Sequence, residues 1–359
     1  MTEVPTGSAD ERIETPSPLR PRGERSDLVL NVVLAALVVS VLALAAYFAY
    51  EVKATRAAQR AANPAYRVLE DLKQAVRENP NDPQARGLLA EAYGAVGRFK
   101  EAKRELRAAI DLDPDYSGAY MAIAKIAFIE KDYETAKGAL NKVLEVTAGG
   151  EYEGINKRRE EAYFHLGELA LQEREYEEAL GYFKAALRIR RSASDTYLRM
   201  AQAYLGLEER DAALNTLEAA LAFDPKFPEA NYEVGRLLLD SDKAAAAEYF
   251  RVALDGQPDA ELAVQELAAF GDWRSYHEEA RQALDAGNPE EALAPARIAA
   301  ALAPAEYDAV LVHAQARERI GEAEQALGLY REAANLRPGD ETAQSAVERL
   351  ASDGKGGSK

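Results

Sequence analysis

The sequence predicts an all-α solenoid of helix–turn–helix repeats preceded by a single transmembrane helix. Three observations predict it. A run of 23 residues without a charge, Leu28–Tyr50, lies near the start of the chain. Beyond Pro64, apolar residues recur three and four apart in short blocks, as they do on amphipathic helices with one buried stripe. The blocks come in pairs, and a small residue early in the second block of each pair recurs at a spacing near 34.

In chain order, residues 1–27 hold Pro5, Pro16, Pro18 and Pro21 among Ser, Thr, Gly and charges, the composition of a disordered tail. Leu28–Tyr50 follows, and 23 residues of helix rise about 34 Å, enough for a hydrocarbon core of roughly 30 Å. Tyr47 and Tyr50 stand where an interfacial aromatic belt would be. A cleaved signal peptide is the competing reading. The apolar run exceeds an h-region of about 7–15 residues, which favours an uncleaved anchor. Arg20, Arg22 and Arg25 before the span are matched by Lys53, Arg56 and Arg60 after it, so charge does not orient it. A short polar tail, one anchor and a large C-terminal domain resemble an N-in, C-out signal anchor. The expectation is therefore a single-pass plasma (inner) membrane protein with an extracytoplasmic repeat domain.

Residues 51–65 form a juxtamembrane linker in which the helix continues to Ala62 and is interrupted at Asn63-Pro64. The solenoid is expected over 66–351, opening on an amphipathic helix from Tyr66 to Asn79 that looks like half a repeat and would cap the array. The small marker then falls at Ala102, Ala136, Ala179, Ala213, Ala246, Ala292 and Ala326, with gaps of 34, 43, 34, 33, 46 and 34. Four residues later stand Leu106, Leu140, Phe183, Leu217, Phe250, Ala296 and Tyr330. Three beyond those are Ala109, Val143, Ala186, Ala220, Ala253, Ala299 and Ala333. Pro114, Pro225, Pro258, Pro304 and Pro338 close five of the seven repeats. The gap of 33 reflects one residue lost in the turn near Asp240–Lys243; the two long gaps are insertions.

The first insertion, Thr147–Lys157, is rich in glycine and reads as an edge loop, or as a contact loop using Tyr152 and Lys157. The second holds a short extra helix, Ala260–Phe270, followed by Trp273, which would seal an irregular junction. Asp340 can cap a last helix with Ala343, Ala346, Val347 and Leu350 on one face, and 352–359 reads as a disordered tail.

Composition excludes more than it assigns. The 359 residues carry 44 Lys and Arg against 61 Asp and Glu, a net charge of −17 that argues against nucleic acid as a partner. Without cysteine there is no disulfide, thiolate metal site, cysteine nucleophile or lipidated cysteine. His165, His277 and His313 lie in different repeats and match no metal spacing; no phosphate loop or nucleophile elbow occurs. No cofactor, metal or catalytic residue is expected, and the chain does not read as an enzyme.

The unit Ser194–Pro225, with Tyr197, Met200, Ala201 and Tyr204 on its first helix and Ala213, Leu217 and Ala220 on its second, resembles the tetratricopeptide (TPR) repeat. That resemblance implies a concave groove lined by the first helices. It places Met121, Phe128, Phe164, Leu171, Leu198, Leu205, Tyr232 and Leu239 on the groove face, interleaved with Lys125, Glu168, Gln202 and Arg236. Such a stripe suits an amphipathic helix or an extended apolar segment of another protein. Some TPR co-chaperones clamp a C-terminal carboxylate with Lys and Asn on the first helix of the first repeat; Gly87 and Glu91 stand there, so the clamp is absent. The layout resembles bacterial anchored TPR proteins that assist assembly of envelope complexes, including subunits of cytochrome c maturation systems. It implies a membrane-anchored interaction scaffold or assembly factor whose oligomeric state is open. The alternatives are a self-associating scaffold without a client and a cytoplasm-facing regulatory adaptor.

Overall fold

A computed structural model describes residues 24–150, 153–257 and 260–356. The expectations for residues 1–23, Tyr152 and Pro258 lie outside the described residues. The chain divides into two compact units at Ala75/Val76. The first holds α1 (Glu24–Ala62) and most of α2 (Pro64–Glu78). Within α1, Val32–Thr55 has a mean hydropathy of 2.7 and is 0% buried, so Leu37, Leu44 and Phe48 stand bare. A core helix of a soluble domain would cover those side chains, and a contiguous bare apolar surface of this size marks an interaction with lipid or protein. The helix starts before Leu28 and runs on to Ala62, where Pro64 starts the next one.

The second unit is all helix among the described residues, apart from turns. Seven pairs follow the sequence markers: α3 (Pro83–Ala95) with α4 (Phe99–Leu112), α5 (Ser117–Glu130) with α6 (Tyr133–Val146), and α7 (Lys157–Gln172) with α8 (Tyr176–Ile189). Next come α9 (Ser194–Gly206) with α10 (Arg210–Phe223) and α11 (Pro228–Leu238) with α12 (Lys243–Gly256). The extra helix α13 (Glu261–Ala269) precedes α14 (Trp273–Asp285) with α15 (Pro289–Leu302), then α16 (Tyr307–Arg319) with α17 (Ala323–Leu336). The last helix, α18, runs Glu341–Gly356, past the end expected at residue 351. The expected 147–157 loop contains a single 3₁₀ turn at Glu153–Ile155, and Asn156 caps α7 by accepting from Arg159 N at 3.2 Å.

All three marker positions of every second helix are buried. The first helix meets them with Ala90, Ala124, Gly167, Ala201, Gly235, Ala280 and Ala314, and in the first five repeats sizes are matched across the contact. Where the second helix carries Leu106, Leu140 or Leu217, the first offers Ala; where it carries Phe183 or Phe250, the first offers Gly. A Cβ on Gly167 would lie 2.5 Å from the Phe183 ring, and one on Gly235 2.6 Å from Phe250. Close packing tolerates neither without displacement of the ring.

Six of the seven turns within repeats share one geometry. The residue five before the marker takes a left-handed conformation: Gly97, Lys131, Arg174, Glu208, Gly287 and Gly321. The following N–H then reaches back to the first helix, as in Arg98 to Tyr93 O at 2.8 Å and Glu209 to Tyr204 O at 2.9 Å. This closes the helix C-terminus as a Schellman motif. In the fifth repeat, one residue shorter, Asp242 N instead donates to Leu238 O at 2.7 Å.

Regular stacking, second helix onto the next first helix, runs from α4 to α11. It breaks at the second insertion. There α12 packs against α13 and directly against α15, a second helix meeting a second helix. Arg251 of α12 donates to the carbonyls of Ala301 at 2.7 Å and Leu302 at 3.3 Å, which would otherwise be orphans at the end of α15. Arg297 of α15 answers with two hydrogen bonds to Glu248 of α12, at 2.8 and 2.6 Å. Trp273 begins α14 under an Asp272 cap and lines a cavity of about 310 Å³ beside Arg251 and Leu267.

Candidate functional site

The first helices α3, α5, α7 and α9 touch in succession. Between α9, α11 and the start of α13 a cavity of about 660 Å³ opens, reached by Phe164 of α7. Its floor is apolar: Phe164, Leu198, Phe227 and Tyr232, with Leu262 of α13 59% exposed at the mouth. The Phe164 ring stands 6.1 Å from Phe183, and the Tyr232 ring 5.8 Å from Phe250, so both are held from behind by the Phe residues of the repeat core. Burial pushes the Tyr232 hydroxyl above the usual tyrosine range; Glu266 and Glu233 add to the shift and Arg236 opposes it. Asp195, Glu229, Glu233 and Glu261 line the same cavity with one cation, Arg199.

A second cavity, about 360 Å³, lies beside α5, α7 and α9 and is lined by Phe128, Tyr133, Glu168, Leu171 and Arg199 among others. Phe128 packs edge-on to Tyr133 at 6.4 Å and against His165 at 5.4 Å. Arg199 links the two cavities. Its Nε lies 3.4 Å from Glu168 Oε1, and its Nη1 donates to Gln202 Oε1 at 3.0 Å.

The twelve residues placed on the groove face by resemblance therefore separate. Phe164, Leu198, Gln202 and Tyr232 meet at the larger cavity; Phe128, Glu168 and Leu171 meet at the smaller. Met121, Lys125, Leu205, Arg236 and Leu239 line neither. Met121 is 4% exposed and packs with Leu140 and Leu166 inside the repeat core, which corrects its expected place on an open wall. Leu198, at 8%, is likewise more core than surface, although one side reaches the cavity. Leu205 packs against the α9–α10–α11 core, and Leu239 against the α12 core. Lys125 is exposed with its Nζ 3.9 Å from Glu161, and Arg236 donates to Glu233 at 3.0 Å. Seven-residue spacing finds the face of a helix; it does not find how far the neighbouring helix covers that face.

The short helix expected at Ala260–Phe270 is present as α13, but its place in the cavity wall and the acidic lining were missed from the sequence. The signal was present in α13: Leu262 and Val264 are apolar yet off the Ala263–Leu267 stripe that the helix buries. Among the described residues no group of three or more His, Asp or Glu is placed to hold a metal ion.

The family model described as tetratricopeptide repeat matches residues 58–126 and 170–232, and a second model of the same repeat matches 277–341. Together they span more than half of the chain. A lipoprotein NlpI homolog of Haemophilus influenzae is 25% identical over 222 residues, 60% of this chain and 62% of its own length. Anaphase-promoting complex subunit 3 of Schizosaccharomyces pombe is 24% identical over 174 residues, 48% of this chain and 25% of its own length. The chain thus spans less than two thirds of either relative. Among solved structures, YrrB, described as a TPR protein with an unusual peptide-binding site, is 23% identical. It aligns with a TM-score of 0.44 over 55% of this chain and 97% of its own.

Proposed function

Because the chain belongs to the tetratricopeptide repeat family, we propose that it is a membrane-anchored scaffold or assembly factor serving a membrane or envelope complex. It binds partner proteins along its first helices and catalyses nothing. Proteins of this family mediate protein–protein interaction. The observation that carries the reading is the 660 Å³ cavity with an apolar floor on α9 and α11, of the size and lining that binding sites have. The bare apolar span Val32–Thr55 supports the anchor. The Haemophilus relative is named a lipoprotein; this chain has no cysteine to acylate, so α1 takes the part that a lipid would play. The repeat domain faces the extracytoplasmic side.

Photocrosslinking in native membranes tests the reading. A benzoylphenylalanine replacing Gln202, in the cavity, is expected to give a discrete adduct with another protein; one replacing Lys184, exposed on α8, is not. Adducts with a second copy alone would support the self-associating scaffold instead. Adducts from position 184 alone would move the binding surface to the second helices.

A further inference from the structure

The larger cavity is apolar below and acidic at its rim. Among the described residues, four carboxylates line it against one guanidinium. That guanidinium is already engaged by Glu168 and Gln202, so it offers little to a ligand. Glu233 is matched by Arg236 and Asp195 lies 3.7 Å from Arg190, whereas Glu229 and Glu261 are exposed and have no ion pair among the described residues. Both stand in the first turn of their helices, α11 and α13, where a carboxylate complements the helix dipole. The dipole accounts for an acid on each helix. It does not account for a repeat helix and the inserted helix converging so that both acids flank one apolar opening.

We propose that the cavity receives a cationic, apolar segment of another protein: one or two large apolar side chains seated on Phe164, Leu198 and Tyr232, flanked by Lys or Arg that pair with Glu229 and Glu261. The proposal rests on the groove reading above and narrows it. The opening is too large for one side chain and is walled at one end by α13, whose Leu262 extends the apolar contact. A free carboxylate or an acidic peptide is repelled here, because a like charge beside these carboxylates is disfavoured while an opposite one is held. The occupant is thus opposite in charge to the C-terminal carboxylate that a carboxylate clamp would take.

Panning the full-length, detergent-solubilised chain against a phage-displayed random dodecapeptide library tests this. The expected sequences are enriched in Lys and Arg around one or two large apolar residues. A selected peptide, followed by fluorescence anisotropy, should bind several-fold more weakly at about 300 mM than at about 50 mM salt, since screening acts on exposed charges. Glu229→Gln with Glu261→Gln, both at exposed positions, should weaken it about threefold or more, and Gln202→Trp, which fills the cavity, should abolish binding. Enrichment of acidic or uncharged sequences overturns the cationic occupant; if Gln202→Trp still blocks them, the groove reading stands. Cationic peptides indifferent to the Glu229→Gln/Glu261→Gln pair overturn it in the same way. Peptides indifferent to Gln202→Trp, or no enrichment at all, overturn both, provided that thermal unfolding shows the variants folded.

Discussion

Gly167 facing Phe183 can be tested as a pair. Gly167→Ala adds helix propensity worth about 1 kcal/mol but drives a methyl into a ring with nowhere to go. The expected net effect is a loss of about 1–2 kcal/mol, read as a lower urea midpoint. Adding Phe183→Leu recreates the Ala–Leu contact of the fourth repeat, so the double variant should lose less than the sum of the two single losses. Strict additivity would mean that the two residues do not share the contact. His313 on α16 offers a second residue-scale test. It is 7% exposed, and its Nε2 accepts from Arg317 Nε at 3.1 Å, which leaves the ring proton on Nδ1. Burial, with the charges of Arg317 and Arg297, holds its pKa down at about 3 against an ordinary 6.5. In the folded chain the ring stays neutral while in the unfolded chain it takes up a proton. Stability should therefore fall by about 1.4 kcal/mol for each pH unit below about 6.5, ceasing near 3. Urea midpoints at neutral and mildly acid pH should show that slope in the wild type and lose it in His313→Gln.

At the scale of the element, the turns show how one geometry tolerates different residues. Three of the six left-handed positions hold Gly, and three hold Lys131, Arg174 and Glu208, where a Cβ is strained. Glu208→Gly is expected to stabilise by about 0.5–1 kcal/mol, and Gly321→Glu to destabilise by about 1 kcal/mol, in chemical unfolding of each variant. A loss for Glu208→Gly would mean that its side chain makes a contact worth more than the strain. The repeat frame was legible because its markers report a contact between two helices close in sequence, and local contacts leave local patterns. Ala102, Leu106 and Ala109 are buried in every equivalent position for that reason. The role of α13 was not legible. It depends on α12 meeting α15, which is settled by Arg251 and Arg297 across some fifty residues of chain. The groove residues fall between these cases: the spacing of Leu198 and Leu205 gives a shared face, and the burial of each depends on the next repeat.

For the whole molecule, two large terms act on different parts. The repeat domain carries most of the acidic excess, while Val32–Thr55 is apolar and is covered by none of the described residues. The full chain is expected to stay with the membrane pellet on carbonate extraction, and deletion of residues 28–50 to release it. A mature N-terminus near Tyr47 by mass spectrometry would turn the anchor into a cleaved signal. Orientation is checked with Ser352→Cys, the sole thiol in that variant, which should react with a membrane-impermeant maleimide from the outer side of the cytoplasmic membrane. Protection until lysis would reverse the topology.

The spacing of 46 between Ala246 and Ala292, against 34 in the three regular gaps, makes room for α13. A row of identical first helices reads a ligand without phase, since a segment can slide by one repeat and meet the same wall again. By closing one end of the opening beside α11, α13 supplies an origin. A segment that abuts it has a fixed start, and each of its side chains is assigned to one repeat rather than to any of several. For the segment proposed above, the insertion that looks like a flaw in the periodicity would act as a reading frame, its length setting where recognition begins.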